Sequence, residues 1–158
     1  MKILKSIFLP AVLIIIFFIS CSDDKTVTTG NGSMLIIDPT ITITDRFGNE
    51  LGGDTTDWCV RNNSLFRFNA AYPNPANDTV NLRFQLPEQD TISLMYLKTN
   101  GDTAVFIRDQ VLNAGVYEVQ FNAREHLIFS GVFRFIIRSK RFPAGSEYCR
   151  YYGDVQFY

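Results

Sequence analysis

Thr79-Val80-Asn81-Leu82-Arg83-Phe84-Gln85-Leu86 sets Val80, Leu82, Phe84 and Leu86 against Thr79, Asn81, Arg83 and Gln85 in strict alternation. Successive side chains of a strand point to opposite faces, so this octet predicts a β-strand with one face in a core and the other in water. The same period of two recurs on either side. Thr40-Ile41-Thr42-Ile43-Thr44 alternates β-branched polar with apolar residues, and Asp45-Arg46-Phe47-Gly48-Asn49 reads as the turn that follows. Phe66 and Phe68 share a face in Ser64 to Asn69, and Ile92, Leu94 and Tyr96 share one in Thr91 to Leu97. Asn100-Gly101 is a strong hairpin signal, after which Ala104 to Arg108 returns. Beyond Asn113-Ala114-Gly115, Tyr117, Val119 and Phe121 alternate with Glu118 and Gln120. Val132 to Arg138 puts Phe133, Phe135 and Ile137 opposite Arg134 and Arg138, and Tyr148 to Phe157 offers a last, less regular strand.

No stretch carries helical periodicity. About eight short strands with regularly spaced turn signals predict an all-β fold, an antiparallel Ig-like β-sandwich. The chain has 158 residues, 46% of them hydrophobic, and much of that apolar content lies in the first twenty positions. The remainder is long enough to bury about two-thirds of its unfolded surface around one core. Setting aside Lys2 and Lys5 leaves 13 basic side chains against 16 acidic ones, a net charge of about −3. That balance excludes a nucleic-acid partner held by phosphate neutralisation. With one histidine, most familiar catalytic constellations cannot be assembled.

Met1 to Ser20 combines Lys2 and Lys5 with an apolar run from Ile7 to Ile19. A spanning helix needs about 20 apolar residues, so this shorter run predicts a signal peptide over 1–20. Phe18-Ile19-Ser20-Cys21 resembles a bacterial lipobox, which implies acylation (palmitate) of Cys21 and attachment to the membrane through that lipid anchor. Each buried CH₂ contributes about 0.8 kcal/mol, so several acyl chains hold a protein on a bilayer. Ser22-Asp23-Asp24 resembles the acidic tract of surface-exported lipoproteins, and reads equally as a solvated linker. Ser22 after the cysteine favours the outer membrane, facing either the periplasm or the surface. Residues 21–33 are small and polar, the composition of a flexible tether.

Tyr72-Pro73-Asn74-Pro75-Ala76-Asn77-Asp78 leads into the opening octet. Asn100-Gly101, Ala114-Gly115-Val116-Tyr117 and Ser130-Gly131-Val132-Phe133 follow in order. This run resembles the FlgD-like immunoglobulin domain and the related C-terminal sorting domain of type IX secretion cargo. The resemblance implies a domain over 70–142, with N-terminal strands in 34–69 and a C-terminal strand in 143–158. Pro73 and Pro75 fix φ near −65° and hold the preceding residues extended. The chain continues past the point where a sorting domain ends and is expected to carry its own anchor, so the expectation is a stand-alone lipoprotein rather than secretion cargo.

Once Cys21 is acylated, Cys59 and Cys149 remain. In an oxidising compartment they are expected to form a disulfide across a loop of about 90 residues, worth around 4 kcal/mol, with two free thiols as the alternative. Asp45, Asn49, Glu50, Asp54 and Asp57 offer oxygens for calcium or are solvated turn residues, and their spacing is not that of an EF-hand loop. His126 lacks a sequence context for a general base and reads as a loop residue. Trp58, Tyr148, Tyr151 and Tyr152 could form a sugar or peptide platform, or pack around the disulfide. Arg134 and Arg138 read as a solvated face. The expectation is a non-catalytic binding or assembly module for protein or glycan, with no cofactor and no metal. The alternatives are an accessory of a type IX-like secretion or surface glycan system and, from another class, a small hydrolase or metal-dependent enzyme.

Overall fold

The computed structural model describes residues 26–28, 34–59, 66–98, 100–141 and 151–158. The strands are β1 (Thr26–Thr28), β2 (Met34–Ile36), β3 (Thr42–Thr44), β4 (Glu50–Gly53), β5 (Arg67–Phe68), β6 (Thr79–Leu86), β7 (Asp90–Leu97), β8 (Thr103–Leu112), β9 (Gly115–Asn122), β10 (Gly131–Ser139) and β11 (Tyr152–Phe157). A 3₁₀ turn, Ala123–His126, joins β9 to β10. Every ladder between these strands is antiparallel. The opening octet is β6 itself, and all four of its apolar side chains are buried.

Sheet order explains why that octet is central. β5-β6-β9 forms one sheet and β11-β10-β7-β8 the other, with β1-β2 and β3-β4 as separate hairpins. This is the A-B-E and G-F-C-C′ arrangement of an immunoglobulin-like sandwich. Phe121 of β9 lies 4.9 Å from Phe135 of β10, 5.0 Å from Phe106 of β8 and 5.4 Å from Tyr96 of β7, ring centre to ring centre. Each such ring contributes about 1.5–3 kcal/mol by leaving water, so the aromatic cluster is a main source of cohesion between the sheets.

The hairpin between β7 and β8 forms at Asn100-Gly101. The Lys98 amide donates to Asp102 O at 2.7 Å, and Gly101 takes φ 87°, which its missing Cβ permits. β8 runs to Leu112, further than its alternating core suggested, and bulges where Asp109 takes a positive φ against Ser93.

β3 turns its faces the other way from the simple hydrophobic expectation. Thr42 and Thr44 are the buried pair, while Ile43 is half-exposed. Their hydroxyls donate to carbonyls, Thr42 to Asp54 O and Thr44 to Ala71 O at 2.7 Å, so burial leaves no unpaired hydroxyl. Asn74, fully buried, explains the anchoring of the Pro-Asn-Pro segment. Its Nδ2 donates to Thr42 O at 2.8 Å and to Asp154 O at 2.9 Å, and its Oδ1 accepts from the Gln156 amide at 3.0 Å. One side chain thereby staples β3 to β11. The Tyr72–Pro73 and Asn74–Pro75 peptide bonds are both cis.

Thr26–Thr28, inside the stretch expected as a tether, pair with Met34–Ile36. The signal segment 1–20 and the lipidation residue Cys21 lie outside the described residues. Among the described residues, no helix is long and apolar enough to cross a membrane.

Candidate functional site

At one end of the sandwich the four-stranded sheet forks. β7 and β10 pair from Ile92↔Ser139 to Tyr96↔Phe135, and there their ladder ends. β10 continues from Arg134 back to Gly131 with β11 as its ladder partner. A cavity of about 480 Å³ occupies the fork, with Tyr96 and Lys98 from the β7 side and Ser130 and Phe133 from the β10 side. His126, Leu127, Ile128 and Phe129 close it from above.

Local chemistry places those residues. Asn122 Oδ1 accepts the Arg124 amide at 3.0 Å and caps the 3₁₀ turn. The turn ends at Leu127, whose left-handed φ of 59° brings its own amide to Arg124 O and the Ile128 amide to Ala123 O. That conformation costs a branched residue about 1–2 kcal/mol, and it directs Leu127 outward. Leu127 is 78% exposed and Phe129 68% exposed at the cavity rim. Both are large apolar side chains standing in water beside the cavity.

His126 lies inside this region. Its imidazole stacks on Phe121 at 4.5 Å with 9° between the planes, and meets Tyr96 edge-on at 5.5 Å. Burial raises the Tyr96 phenol above its ordinary pKa. Among the described residues the imidazole has aromatic neighbours and no hydrogen-bonded carboxylate.

A partly buried polar cluster joins β10, β11 and Asp57. Arg134 donates Nε to Asp154 Oδ1 at 2.8 Å and Nη2 to Oδ2 at 2.7 Å, with its guanidinium 4.2 Å from the centre of the Tyr152 ring. Arg134 is therefore ion-paired and stacked while still partly solvated, Arg138 is exposed as expected, and the Asp154 bond raises the already high Arg134 pKa further. The Asp154 amide donates to Asp57 Oδ2 at 3.1 Å. Burial, and then the nearby Asp154 carboxylate, raise the Asp57 pKa.

Cys59 is fully buried beside Trp58, and both its backbone groups pair with Phe68. Cys149 and Tyr148 lie outside the described residues. Trp58 and Tyr151 are buried, as the packing alternative requires and an exposed platform does not. Phe68 meets the Trp58 indole edge-on at 5.0 Å, and Phe66 lies 5.2 Å from Tyr151. The acidic loop is organised around its own backbone. Asp45 accepts from the Phe47 and Asn49 amides and from Asn49 Nδ2, which lower its pKa, and Asp54 accepts from the Thr56 amide. Among the described residues no three His, Cys, Asp or Glu side chains gather as metal ligands.

The fork was missed in the sequence because its members come from three separate elements. One signal was present, the apolar run Leu127-Ile128-Phe129 between His126 and the turn residues Ser130-Gly131. No protein-family model, curated protein or solved structure matches the chain.

Proposed function

We propose that the chain is an envelope lipoprotein, held on the outer membrane through acylated Cys21, whose β-sandwich acts as a non-catalytic binding module. The observation that carries the binding role is the exposed pair Leu127 and Phe129 at the rim of the fork cavity. The anchor rests on the sequence pattern around Cys21. The FlgD-like and sorting-domain resemblance belongs to the same proposal. Its motifs fall at the approach to β6, in the β7–β8 hairpin, at the start of β9 and at the start of β10.

The same reading bridges Cys59 to Cys149. The Trp58 amide donates to Tyr152 O at 2.8 Å, so a residue next to Cys59 lies against one three positions after Cys149. Three residues reach at most about 11 Å, which makes the pairing sterically reasonable. The bridge would fasten the chain before β5 to the chain before β11.

Two measurements test the proposal. An alkyne-tagged fatty acid fed to cells should label the wild-type chain, and Cys21→Ala should abolish labelling and release the protein from membranes. Peptide and glycan arrays probed with the detergent-solubilised full chain should give ligands whose binding is lost in the double variant Leu127→Ser/Phe129→Ser. Labelling that persists in Cys21→Ala contradicts the anchor. Turnover of ester or glycoside substrates would contradict the non-catalytic reading.

A further inference from the structure

The fork also indicates what kind of ligand it takes, an inference that rests on the binding-module reading. The Ile137 amide donates to Tyr151 O on the β11 side, and the Lys140 amide donates to Thr91 O on the β7 side. Neighbouring residues of a strand direct their backbone groups to opposite edges, so even-numbered positions of β10 address the β7 side. Val132 is such a position, and it lies beyond the last β7–β10 pair. Its backbone therefore addresses the β7 side of the fork, where among the described residues no strand pairs with it and an added strand could extend the sheet.

The side chains around this edge are sorted by chemistry. Leu127, Phe129 and Phe133 supply apolar surface, and Lys98 supplies a cation on the opposite wall. No acidic residue lines the cavity. Ser130 and Tyr96 bring hydroxyls to the same walls. The walls thus combine apolar side chains with two hydroxyls, the His126 imidazole and one ammonium. An extended backbone carrying an apolar side chain and a terminal carboxylate satisfies the strand edge, the apolar surface and the cation together.

We propose that the fork between β7 and β10 binds the C-terminus of an extended peptide, with its carboxylate at Lys98 and its last apolar side chain between Leu127, Phe129 and Phe133. The partner is thus a protein whose free C-terminal end is apolar. The backbone of that end adds to the β10 edge at Val132.

A peptide library displayed with free C-termini, selected on the detergent-solubilised full chain, tests this. Fluorescence polarisation then compares each selected peptide with its C-terminally amidated form. Selected peptides are expected to end in an aliphatic or aromatic residue, and amidation is expected to weaken binding about tenfold or more. Lys98→Glu and Phe129→Ser should each weaken binding by about the same factor, while Val111→Ser on the outer strand β8 leaves it unchanged. Equal affinity for acid and amide, or indifference to Lys98→Glu in a protein with wild-type thermal unfolding, overturns the proposal. Peptide binding lost in Val111→Ser but kept in the fork variants overturns the fork while the module reading stands. Absence of any ligand on both peptide and glycan arrays overturns both.

Discussion

A methyl group on Gly153 would lie 2.0 Å from Cε2 of Trp58, well inside van der Waals contact. Glycine is thus required at this position by the indole packed flat against it. Gly153→Ala is expected to destabilise the protein by about 3 kcal/mol, and the red-shifted emission of its single tryptophan would report the displaced indole. Asp57 gives a pH-dependent test beside it. Its carboxyl starts from 3.8 in the unfolded chain and is raised in the fold, first by burial and then by Asp154. Between those two values the folded state holds the proton and the unfolded state does not, so stability falls as pH rises through the window. Asp57→Asn removes that dependence, and its stability relative to wild type should be greater near pH 7 than near pH 3, as read by urea unfolding. Neither role was legible in the sequence. Trp58-Cys59 and Tyr152-Gly153-Asp154 are almost a hundred positions apart, and only the sheet brings them together.

At the scale of elements, legibility followed the contrast between faces. β6 could be read to the residue because its two faces differ completely in polarity. β3 could not, because threonine is buried as readily as isoleucine once a carbonyl accepts its hydroxyl. Thr44→Val keeps the shape but leaves Ala71 O without that donor, and is expected to cost about 1–3 kcal/mol in chemical denaturation. The 3₁₀ turn behaves in the opposite way. Leu127 and Phe129 contribute exposed surface, so Leu127→Ser and Phe129→Ser should change stability by less than about 0.5 kcal/mol. A loss several times larger in urea titration would show that they serve packing rather than contact.

For the whole molecule, the all-β sandwich followed from strand count and turn spacing, whereas the strand order β5-β6-β9 and β11-β10-β7-β8 and the fork did not. A sequence pattern shows where strands begin, but the point at which two neighbours part depends on the hairpin of one and the approach of the other. The proposed bridge also acts at this scale, by closing a long loop in the unfolded chain. Cys59→Ser should lower the unfolding free energy by about 4 kcal/mol, and reductant should bring wild type to a similar value. The proposed binding of a peptide end at the fork belongs to this scale as well. The most direct test is a titration of the ¹⁵N-labelled full chain in detergent micelles with a peptide ending in phenylalanine and a free carboxylate, followed by amide chemical shifts. Shifts concentrated at Tyr96 to Lys98 and His126 to Phe133 are the result expected, whereas shifts centred on β3 and β4, or none at saturating peptide, would contradict it.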